Sequence, residues 1–245
     1  MTAGGVLLLG ATGRTGSLVL RELLGRGVAV RAVVRPGSAR PFPADTPDLE
    51  VVRGDVARAD AATYAGWLAG CDAAACCLGH RTTLRGIFGP PYRLVERALR
   101  RLHEAARARG DAPPLRLVVM GTVGVRLGDE RVPRAQALAM RALRSVPPHR
   151  DNERAAAFLV QEVGADDPSL AWTLVRPDTL FDTEAVAPYD VEEAPTRPAL
   201  LDPGRTSRAQ TADLMAELLV DDALWRRWRG RAPAVYDRAG PPTRP

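Results

Sequence analysis

The sequence predicts an α/β fold, a doubly wound parallel sheet with helices on both faces. Three observations carry this expectation. Short apolar runs of strand length alternate with amphipathic segments of helix length. A glycine-rich turn joins the first run to the first amphipathic segment. No internal repeat occurs, and no linker separates two cores. Residues 1–245 therefore read as one domain, and about residues 177–245 read as a small C-terminal lobe on the substrate side.

In chain order, Val6 to Leu9 is a short apolar run of buried-strand length. Leu18, Leu20, Leu23 and Leu24 give a helical apolar face, ended by Gly25 and Gly27. Val28 to Val34 is a second strand, broken by Pro36-Gly37, and Leu49 to Val52 is a third. A helix containing Tyr64, Trp67 and Leu68 precedes Gly70, and Asp72 to Cys77 is a fourth strand. Arg93 to Arg109 reads as a long helix with arginines on its outer face. Leu115 to Met120 is a fifth strand. Gln136 to Leu143 and Glu153 to Val163 read as helices. Leu170 to Val175 is a sixth strand, bounded by Arg176-Pro177. Thr211 to Val220 is an amphipathic helix and Pro233 to Asp237 a last strand.

Composition excludes several function classes. The chain carries 34 basic residues against 29 acidic ones, a formal charge of +5, and every basic residue is arginine. With abundant Ala, Gly and Pro, this reads as codon bias from a GC-rich genome. The arginines are interleaved with acids, as in Arg21-Glu22, Glu96-Arg97 and Glu153-Arg154, so no nucleic-acid partner is expected. No apolar run reaches the ~20 residues of a membrane span, and no signal peptide is expected, so the expectation is no membrane and a cytoplasmic location. Cys76 and Cys77 would point to opposite strand faces, and no histidine stands at ligand spacing from them. Neither a metal nor a disulfide is expected. The absence of lysine excludes Schiff-base chemistry on that side chain.

Gly10-Ala11-Thr12-Gly13-Arg14-Thr15-Gly16 lies between a predicted strand and a predicted helix, the context a dinucleotide-binding turn requires. Gly10 can make the tight turn out of the strand. Gly13 lets a pyrophosphate approach the backbone, and Gly16 lets the helix lie close to the sheet. The helix N-terminus offers N–H groups and partial positive charge to phosphates. Arg35 follows the second strand, where an acidic residue would otherwise hold a ribose 2′-hydroxyl. A guanidinium there suits a 2′-phosphate, with Ser38, Arg40 and Arg14 placed to assist. The cofactor expected is NADP.

Glycines three apart resemble the turn of the extended and atypical short-chain dehydrogenases/reductases, whose fold is the Rossmann fold. Asp55-Val56 resembles that family's adenine-contacting dipeptide. Leu78 and Gly79, after Cys77, stand where the family lines the nicotinamide ribose, and Arg176-Pro177 resembles its Arg-Pro after the sixth strand. Within the superfamily the chain is most similar to the NAD(P)H-binding branch, near the NmrA-like and biliverdin-reductase-B-like proteins.

The resemblance implies a Ser, a Tyr and a Lys four residues beyond the Tyr, and here the pattern departs. None of Tyr64, Tyr92, Tyr189 and Tyr236 begins the helix after the fifth strand. Counting back from Leu159 places the lysine position near Asn152 and the tyrosine position near Pro148 or His149, and Thr122 can replace the serine. Thr122 or His149 can then donate the proton, with Asn152 holding a ribose or carbonyl. Imidazole ordinarily titrates near pH ~6.5, which suits an acid. His149 can equally cap the following helix, where Asp151 or Asn152 is the more obvious N-cap and Glu153 suits the first turn. His80 reads either as a pocket residue with Arg81 and Tyr92 or as a surface loop. His103 reads as a solvated mid-helix residue, and Trp225 to Trp228 as C-terminal packing.

The resulting expectation is an NADP(H)-dependent oxidoreductase acting on a small carbonyl, quinone or other conjugated acceptor. The alternatives are a non-catalytic NADP(H)-sensing regulator of the NmrA-like type, or a non-redox isomerase or cyclase on the same scaffold. The partner expected is a small-molecule substrate, and monomer and homodimer both stand open.

Overall fold

The computed structural model describes residues 4–38, 46–80, 83, 89–128, 130, 146–199 and 201–238. Arg40, Arg81 and the helix expected at Gln136 to Leu143 lie outside these residues.

Six strands follow the expected order: β1 (Gly5–Leu9), β2 (Val30–Val34), β3 (Leu49–Arg53), β4 (Cys71–Cys76), β5 (Leu115–Met120) and β6 (Leu170–Pro177). They pair in parallel in the order β3-β2-β1-β4-β5-β6. The chain winds from β1 outward to β3, then returns to place β4 on the other side of β1. Leu9 is level with Val33 on one side and Cys76 on the other. The sheet reverses its winding between β1 and β4, the place where α/β proteins bind ligands beyond the strand ends.

Strand alternation separates two cores. Leu7 and Leu9 join Ala74, Cys76, Leu117 and Val119 on one face, under α2 (Ala61–Leu68), α3 (Leu94–Arg107) and α4 (Pro147–Ala157). Val6 and Leu8 join Ala73, Ala75, Cys77 and Val118 on the other, under α1 (Gly16–Gly25), α5 (Arg208–Val220) and α6 (Asp222–Trp228). Cys76 and Cys77 thus face opposite cores, as their adjacency in a strand requires. All three cysteines are free and buried, and burial pushes the Cys76 thiol up to about 12. They are packing residues. Trp225 and Trp228 are buried against α5, as expected of a packed C-terminal segment.

The region beyond β6 holds four more strands. β7 (Thr179–Phe181) and β9 (Arg205–Ser207) pair in parallel as a separate ribbon. β10 (Ala234–Asp237) joins β6 in parallel, and β8 (Tyr189–Glu192) closes the main sheet antiparallel to β10. Of these, only β10 was expected from the sequence. β7 to β9 are only three or four residues long, too short for their patterning to stand out from loop sequence. No helix of the described residues is long and apolar enough to cross a membrane.

Two helical expectations need correction. The helix expected from Glu153 begins earlier, at Pro147, and its last part, Phe158–Val163, is π-helical and stops at Gly164. Pro147 and Pro148 explain the start, because proline has no N–H to lose in a first turn and its fixed φ suits one. His103 is not solvated. Its Nε2 lies 3.1 Å from Asp167 Oδ2 and its ring meets Phe158 edge-on. Asp167 also accepts from the Ser169 hydroxyl and the Ser169 and Leu170 amides.

Glu96, in the first turn of α3, is buried between two arginines. It accepts from Arg93 Nε at 2.6 Å and Arg100 Nε at 3.2 Å. The Arg93 hydrogen bond, with Arg100 behind it, holds the Glu96 carboxyl below the usual glutamate range. A depressed folded-state pKa contributes stability that is complete above the ordinary glutamate value. That stability is lost as pH falls through the folded value. Solvent at Arg93 and Arg100 screens the pair, so Glu96→Gln should remove about 1 kcal/mol at neutral pH. The difference from wild type should shrink as pH falls below ~4, as read by urea denaturation across a pH series.

Candidate dinucleotide and substrate site

The glycine turn follows from close backbone approach. Gly10 has φ of 85°, a left-handed conformation, and a Cβ there would lie 2.6 Å from the Cys77 carbonyl oxygen. A Cβ on Gly16 would lie 2.1 Å from the Gly10 carbonyl oxygen. A Cβ on Gly13 would meet Gly10 O at 3.1 Å and little else, so the fold itself asks less of that position. The Gly13 N–H donates to Gly10 O at 2.9 Å, curling the turn onto the start of α1. Thr15 is buried at the N-cap and Thr12 is half-buried. Thr15, the N-cap of α1, makes no side-chain cap bond, and the N-terminus of α1 faces the turn with the dipole that favours an anion. These residues fit a dinucleotide phosphate: the turn is tight where it meets the sheet and open at Gly13.

On the β2 side, Arg35 is exposed and forms no ion pair with any described residue. The Ser38 N–H donates to Arg35 O at 3.1 Å, and Ser38 is half-buried. After β3, Asp55 Oδ1 accepts from the Ala57 N–H at 3.0 Å. Buried Val56 is fixed by its carbonyl, which accepts from the Tyr64 hydroxyl at 3.0 Å. After β4, Leu78 is buried beside the Gly10 turn, and Gly79 is exposed with open space around it. Gly10, Arg35, Asp55 and Gly79 thus follow the carboxyl ends of β1, β2, β3 and β4. The Arg14 guanidinium pairs with Asp182 just beyond β7.

On the β5 side, Thr122 and His149 come together. A Cβ on Gly124 would lie 3.5 Å from Thr122 Oγ1 and 3.9 Å from His149 Cε1, so both side chains border one spot. Thr122 Oγ1 accepts from the Gly124 N–H at 3.2 Å. His149 Nε2 lies 3.6 Å from Glu153 Oε1, one helical turn on. Asn152 is half-buried on the same helix. His149 belongs to the first turn of α4, and the N-cap is Val146.

Asp151 is the residue whose role the sequence reading missed. The expectation that it or Asn152 caps α4 is overturned: both lie inside the helix, and Val146 is the N-cap. Asp151 is fully buried and caps α3 from outside. Its Oδ2 accepts from the Val95 N–H at 2.8 Å and its Oδ1 from the Glu96 N–H at 3.1 Å. Arg93, the N-cap of α3, has a donor-only side chain that makes no cap bond, so these amides need an outside acceptor. His80 Nε2 lies 2.9 Å from Asp151 Oδ2; a carboxylate only accepts, so the imidazole donates. With its side chain 6% exposed, His80 is no surface-loop residue. Pro147-Pro148 was the signal that would have moved the helix start and freed Asp151 for this role. Arg176 is likewise buried, donating to the Ala232 and Val125 carbonyls and pairing with Glu130 at 2.8 Å.

The profile of the NAD(P)H-binding family matches residues 10–222, and the chain belongs to that family, a branch of the atypical short-chain dehydrogenases/reductases. No curated protein matches the chain. Among solved structures it is similar to a short-chain dehydrogenase/reductase from Veillonella parvula in complex with NADP. The identity is 14% and the TM-score 0.70, with 98% of this chain and 97% of that one covered. It is also similar to ChuY, an anaerobilin reductase from Escherichia coli O157:H7, at 20% identity and TM-score 0.68, with 98% and 100% covered. A third is the oxidoreductase ylbE from Lactococcus lactis, at 18% identity and TM-score 0.67, with 95% and 90% covered. At these identities the likeness is one of fold.

Asp151→Ala should lower stability by ~3 kcal/mol in chemical denaturation, because two helix amides and an imidazole lose a buried acceptor. A loss under ~1 kcal/mol would contradict the capping role.

Proposed function

We propose that this protein is an NADP(H)-dependent oxidoreductase acting on a small carbonyl, quinone or other conjugated acceptor. The observation that carries the NADP reading is Arg35. It is exposed at the carboxyl end of β2, has no ion-pair partner among the described residues, and stands where a 2′-phosphate needs a cation. The structure with NADP from Veillonella parvula and the reductase ChuY support it by likeness of fold.

In this reading the bound nicotinamide supplies the hydride. Gly13 and the N-terminus of α1 receive the pyrophosphate, while Thr12 and Thr15 shape the turn. Arg35, with Ser38, holds the 2′-phosphate. Asp55 and Val56 border the adenine, and Leu78 and Gly79 the nicotinamide ribose. Thr122 and His149 border the acceptor, His149 gives its proton to the acceptor oxygen, and Glu153 orients the imidazole. Asn152 takes the ribose contact that a lysine cannot make here. The chain's main contribution is orientation and exclusion of water around the transferring hydride.

Calorimetric titration should show NADPH bound at least about tenfold more tightly than NADH, with the preference lost in Arg35→Ala. Equal affinities in wild type would remove the NADP reading. On a panel of carbonyls and quinones, His149→Ala should lower kcat by about a hundredfold while leaving NADPH affinity unchanged. Tight NADPH binding with no turnover on the panel would favour the regulator, a reading that the missing Tyr and Lys motivate.

A further inference from the structure

A cluster at the mouth of the glycine turn has no part in the reading above. α1 and α5 pack side by side on one face of the sheet. Both begin at its carboxyl edge, α1 after the glycine turn and α5 directly after β9. Arg14 stands just before α1, and Arg208 is the first residue of α5. Their guanidinium groups meet on one carboxylate, that of Asp182. Arg14 Nη2 takes Oδ2, and Arg208 Nη1 takes Oδ1 at 2.8 Å.

The fold builds this meeting point. Phe181 pairs with Ser207 in the β7–β9 ribbon, so Asp182 is carried level with Arg208. The Arg205 guanidinium lies 4.3 Å from the centre of the Phe181 ring and holds the end of the ribbon. A buried capping box, in which Ser207 and Gln210 bond each other's backbone, fixes the start of α5.

The charges do not balance. Among the described residues two guanidiniums share one carboxylate, so one positive charge remains over. Arg208 is only 14% exposed, and burial pushes its pKa down, so it has lost water that one shared carboxylate oxygen replaces poorly. Asp182 and Arg14 are each 59% exposed, so solvent weakens their pair. A simple surface staple needs one cation per anion. This cluster suits a phosphate-type anion, which carries more charge and more acceptor oxygens than a carboxylate.

We propose that Arg14 and Arg208 form a clamp for the pyrophosphate of the dinucleotide, and that Asp182 is its internal competitor. The proposal rests on the dinucleotide reading of the glycine turn. An arriving pyrophosphate takes the two guanidiniums and releases Asp182, and with it the end of the β7–β9 ribbon in the C-terminal lobe. Asp182 therefore sets the cofactor's affinity, and the clamp is blind to the 2′-phosphate that Arg35 reads.

The test is calorimetric titration of NADPH, NADH and ADP into wild type, Asp182→Asn, Arg208→Gln and the double variant, with folding checked by circular dichroism. Asp182→Asn should bind all three ligands about fivefold more tightly, and Arg208→Gln about tenfold more weakly. In the double variant the Asp182 gain should largely vanish, since there is little clamp left to release. Unchanged or weaker binding by Asp182→Asn would overturn the proposal, as would a gain that survives loss of Arg208. A gain confined to NADPH would assign the clamp to the 2′-phosphate and overturn it as stated. Wild type that binds none of the three would sink the dinucleotide reading and the proposal together, whereas binding without the gain sinks the proposal alone.

Discussion

Gly10, Gly16 and the Cys77 carbonyl approach so closely that no side chain fits between them, and the site is built outward from this contact. A β-carbon on Gly16 would overlap the Gly10 carbonyl, and one on Gly10 would overlap that of Cys77. The chain can therefore leave β1, turn sharply and lay α1 against the sheet beside the end of β4. That packing aims the N-terminus of α1 along the carboxyl edge at the winding reversal. The same contact fixes Leu78 and Gly79 next to the turn, and His80 follows them to Asp151. Asp151 then joins β4's end to α3 and α4, the helix that carries His149. One backbone contact thus sets the glycine turn, and one buried carboxylate ties the end of β4 beside it to the helix that carries His149.

In this chain without lysine, a few arginines serve as internal scaffolding. Arg176 is wholly buried and serves two carbonyls and Glu130. Arg31 joins Glu50 to the Trp67 carbonyl, and Arg116 joins the Leu219 carbonyl to Asp222 while lying on the Trp225 ring. The planar guanidinium can serve several acceptors at once, which an ammonium does less well. Arg35 differs from these: it is exposed and pairs with no described acid. Its place just after β2, rather than the net charge, is what singles it out for the proposed 2′-phosphate contact.

The sequence made legible what depends on local chemistry. β1, β4 and β5 are largely buried on both faces and read as apolar runs interrupted only by Asp72 and Arg116, and β5 is found at its expected bounds. The glycine turn was legible because its residues satisfy a backbone demand that only glycine meets. The parts that stayed hidden depend on partners distant in sequence. β7, β8 and β9 are short and rich in Asp, Glu, Arg and Thr, and they are strands because neighbours offer them hydrogen bonds. Asp151 looks like the cap of its own helix, and only the tertiary structure shows that it caps α3. His103 looks exposed among arginines until Asp167 and Phe158 are brought beside it. The convergence of Thr122 and His149 was half legible: both were singled out, but their shared border at Gly124 needed the fold.

In the proposed reading the glycine turn is shaped for a dinucleotide phosphate as well as for the fold. Gly13 separates the two. Its β-carbon would press only lightly on Gly10 O, whereas those of Gly10 and Gly16 would overlap backbone. The direct measurement is a fluorescence titration of NADPH into wild type and Gly13→Ala, with thermal unfolding of both recorded alongside. The account predicts that Gly13→Ala unfolds within a few degrees of wild type yet binds NADPH at least about tenfold more weakly, because the added methyl stands where the phosphate must approach. Equal affinity in the two proteins would contradict it and leave the turn as a feature of folding alone.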